Sequence, residues 1–115
     1  MTTNFWEALD SLLSHPIIID RPKGKPHPRY PDVIYPLDYG YLEGTSSGDG
    51  DGIDVWLGSL LGEKRIVGAV MTYDSLKADL EVKLLINCSE GEMQIIMDFF
   101  AGNQMAAYLI KRDEA

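Results

Sequence analysis

KRIVGAVMTYDSLKADLEVKLLIN, residues 64–87, decides the fold class. Two runs rich in β-branched and apolar residues, KRIVGAVMTYD and LEVKLLIN, are joined by the polar segment DSLKAD, which predicts two strands around a turn. Directly afterwards the period changes. In EGEMQIIMDFFAG, Met93, Ile96, Met97 and Phe100 recur on one helical stripe, and Gly102 can serve as the C-cap.

Upstream, PIIID and the start of IDVWLGSLL read as strands, and VIYPLDYGYLEG as strand pieces bent at Pro36 and Gly40. NFWEALDSLLS, residues 4–14, is a short amphipathic helix that brings Phe5, Leu9, Leu12 and Leu13 to one face. Asn4 or Thr3 is available as its N-cap, and Pro16 ends it. MAAYLIKR is a final strand or half-turn. The count is about five or six strands with a helix towards each end, without βαβ alternation, and it excludes doubly wound folds. A small, mostly antiparallel barrel or curled sheet with flanking helices is expected, in a single domain of residues 1–115.

The formal charge of −8, from 18 acidic and 10 basic groups, argues against a nucleic-acid partner, which usually meets a basic face. No apolar run is long enough for a membrane span, and the N-terminus carries no secretion-signal pattern, so a cytoplasmic location is expected. The lone Cys88 excludes an internal disulfide and reads as a buried filler.

Two constellations carry chemistry. In TSSGDGDGIDVW, residues 45–56, Asp49, Asp51 and Asp54 lie among glycines that let carboxylates converge, and carboxylate oxygens are what hard divalent cations require. An EF-hand fails, because Ile53, Asp54 and Leu60 fall where a ligand, a glycine and a glutamate are needed. The second constellation is RPKGKPHPRYPD, where Arg21, Lys23, Lys25, His27 and Arg29 alternate. If extended, they form one cationic ridge suited to a compact polyanion; a polyproline period would splay it. Carboxylates and cations together point to metal-assisted chemistry on a phosphate ester or anhydride. No Walker A loop or nucleophilic triad is present.

YPLDYGYLEGTSSGDGDGIDVW, residues 35–56, resembles the signature of soluble (family I) inorganic pyrophosphatases, a tyrosine-proline pair, then N/D-Y-G-Y/F, then D-G-D-P-x-D-V. The resemblance implies a distorted five-stranded, OB-like barrel with an N-terminal and a C-terminal helix. It also implies hydrolysis of pyrophosphate with Mg²⁺, Mn²⁺ or another divalent ion, and a homo-oligomer, commonly a hexamer. Carried over by position, it makes Asp49 and Asp54 metal ligands, Asp51 the base on water and Tyr39 a catalytic neighbour. MTYDSLKADLEVKLL resembles a later stretch with two metal-binding acids and a phosphate-binding lysine. Those are Asp74, then Asp79 or Glu81, and Lys83; spacing alone leaves Asp79 and Glu81 both open.

IIIDR resembles a hydrophobic-Asp-Arg strand that makes Arg21 a phosphate contact. PKGKPHPRYPD is then an insertion whose Lys23, Lys25 or Arg29 replaces groups lost from a shortened N-terminal part, while Tyr35 adds to the substrate site. Gly52 stands in place of the family's proline, and the late Tyr-Lys pair is absent. Two alternatives follow from these departures: the same metal chemistry on an organic phosphate or nucleotide, or a non-catalytic metal- or phosphate-binding homologue.

Overall fold

The structure, a computed structural model, describes residues 4–48 and 50–112. The chain runs through α1 (Phe5–Leu9), a 3-10 turn (Asp10–Ser14), β1 (Ile17–Arg21), β2 (Asp38–Leu42), β3 (Ile53–Leu57), β4 (Ile66–Asp74), β5 (Asp79–Ile86), α2 (Glu90–Gly102) and β6 (Ala106–Lys111). The strands form one six-stranded sheet in the order β1-β2-β3-β5-β4-β6. This is the mainly β, OB-like architecture with flanking helices that the sequence leads one to expect. Its sixth strand lies beyond α2, so α2 is not the last element.

The β4–β5 hairpin turns where DSLKAD predicts, with Asp74 opposite Asp79. Asp74 Oδ1 accepts hydrogen bonds from the backbone N–H groups of Leu76 and Lys77, which closes the turn. Every neighbouring pair is antiparallel except β3 and β5, which run parallel with Asp54 opposite Lys83. Because β4 occupies the far side of β5, β3 must approach from the near side after a long excursion.

Strand alternation sends side chains to two cores. Trp56, Val70 and Leu85 face α2, whose Met93, Ile96 and Phe100 are buried against them. Val55, Ala69, Leu84 and Ile86 face α1 and the 3-10 turn. There Trp6, Leu9, Leu12 and Leu13 pack, while Phe5, expected on that face, stays largely exposed. The helix gives way to the tighter 3-10 geometry at Asp10, which shifts the phase of the apolar stripe. Asn4 caps α1 through its side chain, and Thr3 lies outside the described residues. Cys88 is buried under α2, and burial pushes its thiol up to about 12, which keeps it inert.

Helix α2 begins in a capping box, in which Ser89 Oγ accepts from Glu92 N–H and Glu92 Oε1 accepts from Ser89 N–H. Glu92 also accepts from Ser59 N–H just beyond β3, tying the helix start to the sheet. The helix runs through Gly102, and Asn103 rather than Gly102 occupies the C-cap, its Nδ2 donating to the Phe99 carbonyl. Among the described residues no helix is long and apolar enough to cross a membrane.

Gly40 in DYGY has a packing reason. A Cβ there would overlap the carbonyl oxygen of Ile18, because β1 crosses β2 with no room between them. Backbone against backbone cannot relax as side chains do. Gly40→Ala is therefore expected to destabilise the fold by at least ~1–3 kcal/mol, the usual range for overpacking, measured by urea unfolding at constant m-value.

Candidate active site

The site assembles at the β3–β5 register. Lys83 projects from β5 beside Asp54 of β3, two positions along from Glu81 on the same face. Its ammonium donates to Glu81 Oε2 at 2.7 Å, Tyr39 Oη at 3.0 Å and Asp54 Oδ2 at 3.2 Å. All three donors of the lysine are used. Burial opposes its charge, but the Tyr39 oxygen and the two carboxylates outweigh that cost and hold its pKa above the ordinary lysine value.

Burial also raises the Tyr39 phenol well above its usual range and raises the Asp54 carboxyl. Tyr39 therefore stays protonated beside Asp54, its oxygen accepting from Lys83. The ammonium is the hub that Tyr39, Asp54 and Glu81 share.

Two cavities flank this group. The first, about 550 Å³, opens where β3 stops pairing with the first half of β5; Asp54, Asp79, Glu81 and the loop residues Ser46–Gly48 line one side, and apolar side chains of α1, the 3-10 turn, β3 and β5 the other. The second, about 470 Å³, is lined by Tyr30, Val33, Tyr35, Phe99 and Met105, with Tyr39 and Lys83 as well as Asp74 and Lys77. Lys83 and Tyr39 thus belong to the second cavity while bonding to the acids of the first. The indole N–H of Trp56, in the wall of the second cavity, is the one buried side-chain polar atom without a partner among the described residues.

The residues singled out from the sequence distribute as follows. Asp54, Tyr39, Glu81 and Lys83 meet directly, and Asp79 lines the same cavity as Asp54 and Glu81. Asp74 sits across the hairpin from Asp79 and lines the aromatic cleft. Asp51 is exposed in the loop, and Asp49 lies outside the described residues. Among the described residues, no three His, Cys, Asp or Glu side chains group closely enough to hold a metal ion.

Arg21 reaches the site through a β-bulge. The register slips between Ile19 and Arg21, placing Arg21 opposite Tyr39 instead of on the face of Ile17 and Ile19. There its guanidinium donates to the Asp20 carbonyl and pairs with the Asp20 carboxylate at 3.5 Å, near enough to the Tyr35 phenol to act on it.

The basic stretch does not form one straight ridge. Residues 22–36 fold back on themselves, with Gly24 N–H donating to Tyr35 O, His27 N–H to Val33 O and a bridge between Pro26 and Ile34. Lys23 and Lys25 end exposed, while the fold-back sets His27 against Tyr30 and Tyr35, with ring centroids at 5.1 and 6.2 Å. The aromatic lining escaped the sequence reading: Tyr30, Phe99 and Met105 are far apart in the chain, and α2 packing hides Phe99 inside an ordinary helical pattern.

A mainly β, OB-like sheet carrying a lysine–tyrosine–carboxylate group between an acidic cavity and an aromatic cleft defines the structural class. No protein-family model matches the chain, and no curated protein matches it by sequence. Among solved structures it is similar to an inorganic pyrophosphatase from Coxiella burnetii, at 17% identity, TM-score 0.61 and 84% coverage of each chain. It is also similar to inorganic pyrophosphatases from Neisseria gonorrhoeae (19% identity, TM-score 0.57, covering 76% of this chain and 73% of that one) and Thermus thermophilus (24%, 0.53, 81% and 78%). At these identities the likeness establishes the fold.

His27 offers a test of the cleft's electrostatics. Its Nδ1 accepts from the N–H groups of Arg29 and Tyr30. Partial burial, followed by the charges of Arg21, Arg29 and Lys77, holds its pKa below the ordinary imidazole value. The folded state thus binds fewer protons than the unfolded chain, whose histidine titrates near ~6.5. The contribution of His27 to stability is held above that pH and declines as the pH falls through it towards the folded pKa. Histidine proton NMR should show the His27 resonance titrating below ~6.5, and a value above it would contradict this geometry.

Proposed function

We propose that the chain is a single-domain enzyme that hydrolyses inorganic pyrophosphate to two phosphates with a divalent ion, Mg²⁺ or in its place Mn²⁺. The observation that carries this reading is the Lys83–Tyr39–Asp54–Glu81 group, built from the signature-like segments in a fold shared with solved pyrophosphatases.

The donors suit a hard cation in kind. Asp54, Asp79 and Glu81 offer only oxygen ligands to one cavity, and two of them already share a positive charge, that of Lys83. The proposed ligands are Asp54 with Glu81 or Asp79, joined by Asp49 and Asp74. Such an ion would supply Lewis-acid polarisation of the phosphoryl group and a water acidic enough to attack near neutral pH.

The remaining roles belong to the chain. Asp51 accepts the proton of the attacking water. Tyr39, kept protonated by burial, presents an O–H beside the acids. Lys83 stays charged and offsets the negative charge of the phosphate. Arg21, aimed by its bulge, and Arg29 and Lys23 from the folded-back loop assist at the departing phosphate, with the Tyr35 phenol beside Arg21. A buried single thiol fits a reducing compartment, and we assign the protein to the cytoplasm.

Purified protein with Mg²⁺ is expected to release phosphate from pyrophosphate, and Asp51→Asn to lower kcat at least ~100-fold, the usual contribution of a general base. Absence of release with Mg²⁺, Mn²⁺, Co²⁺ and Zn²⁺ would overturn the assignment.

Self-association has its own support. The outer face of β4, β5 and β6 exposes Leu80 (69%), Val82 (48%), Tyr73 (43%) and Tyr108 (64%). Tyr73 is paired with Leu80, and Met71 with both Val82 and Tyr108, so they form one apolar patch. A homo-oligomer, up to a hexamer, would cover it. Sedimentation velocity should show the oligomer for the native protein and a shift towards monomer for Leu80→Lys; a native monomer at high concentration would refute it.

A further inference from the structure

We propose that the aromatic cleft beside Lys83 and Tyr39 binds the base of a nucleoside di- or triphosphate, making nucleotides substrates of the adjoining acidic cavity. This rests on the hydrolytic reading above and extends it from bare pyrophosphate to phosphate anhydrides bearing a planar organic group.

The lining argues first. Lys83 and Tyr39 at one end of the cleft suit the phosphates, and Val33, Phe99 and Met105 form an apolar wall against which a bare polyanion gains nothing. A ligand with a flat apolar end and an anionic end suits that wall. Tyr30, half exposed at 51%, and the half-buried Phe99, backed by the buried ring of Tyr35, offer aromatic surface for stacking, which any base can use. The volume, about 470 Å³, falls within the range of small-molecule sites.

Charge and continuity argue next. Lys77 and Lys83 line the cleft against one acid, Asp74, so its lining carries a positive excess in a chain of net charge −8. At the inner end Lys83 belongs to the cleft while bonding to Asp54 and Glu81 of the acidic cavity. A ligand whose base lies in the cleft sets its phosphates beside Lys77, Lys83 and Asp74 of the same lining, with Asp54 and Glu81 on the other side of the ammonium. Asn103, also in the lining, spends its Nδ2 on the Phe99 carbonyl, leaving its side-chain oxygen to accept from a base amino group.

The reaction follows from this order. Water oxygen bonds to the terminal phosphorus and the bridging P–O bond breaks. Its electron pair leaves with the nucleotide shortened by one phosphate, and the proton of the water passes to a carboxylate of the acid cluster. Inorganic phosphate, not pyrophosphate, is the small product.

The test compares pyrophosphate with ATP, GTP, CTP and UTP in steady-state phosphate release. It adds binding of a β,γ-imido nucleotide, followed by the His27 NMR resonance and calorimetry. Nucleotides are expected to be hydrolysed and the imido analogue to move the His27 signal. Tyr30→Ala should lower the nucleotide-to-pyrophosphate ratio of kcat/KM and weaken analogue binding, each about tenfold; Tyr30→Phe, which keeps the ring, should restore both. If pyrophosphate is cleaved while nucleotides are neither cleaved nor bound, the cleft assignment is wrong and the pyrophosphatase reading stands. If nucleotides are cleaved and pyrophosphate is not, the cleft assignment stands and the bare substrate falls. Nucleotide turnover or binding that ignores Tyr30→Ala also overturns the cleft assignment.

Discussion

The ammonium of Lys83, only 7% exposed at its side chain, is surrounded by one phenol and two carboxylates that keep it charged. Remove the partners and burial would drive the lysine neutral; remove the lysine and two acids would face each other across a half-buried gap. The lysine is held charged by its neighbours. That dependence fixes where β2, β3 and β5 must meet, because Tyr39, Asp54 and Lys83 come from one strand each. The parallel register of Asp54 against Lys83 is thus as much an electrostatic requirement as a hydrogen-bonding one.

Around that group the sheet separates two tasks by strand alternation. One face builds the network and the aromatic cleft and is closed by α2; the other packs on the N-terminal helix and ends in the exposed apolar patch of β4, β5 and β6. Arg21 would belong to the second face but for its bulge. One irregular residue there moves a guanidinium from the helix-packed face to that of Tyr39.

What the sequence disclosed followed from local rules. The β4–β5 hairpin was legible because a polar turn separates two β-branched runs, and α2 because Met93, Ile96 and Phe100 keep one period. The inward turn of Trp6 in place of Phe5 was not, since it depends on where α-helix tightens to 3-10. The fold-back of the basic stretch was not legible, because alternation in a proline-rich segment says nothing about chain reversal, which here needs hydrogen bonds between residues 24–27 and 33–35. Tyr39, Asp54 and Lys83 could be named from motif resemblance. Their shared ammonium depends on a parallel pairing that no local pattern encodes.

That same pairing has a kinetic meaning. The β4–β5 hairpin closes over a short turn, whereas β3 reaches β5 only across the intervening β4, and Tyr39 joins Lys83 from 44 positions away. Non-local contacts of this kind form late, since loop closure must precede their reward. The lysine is enclosed only once β2 and β3 have joined β5, so the buried network and the finished fold are one event.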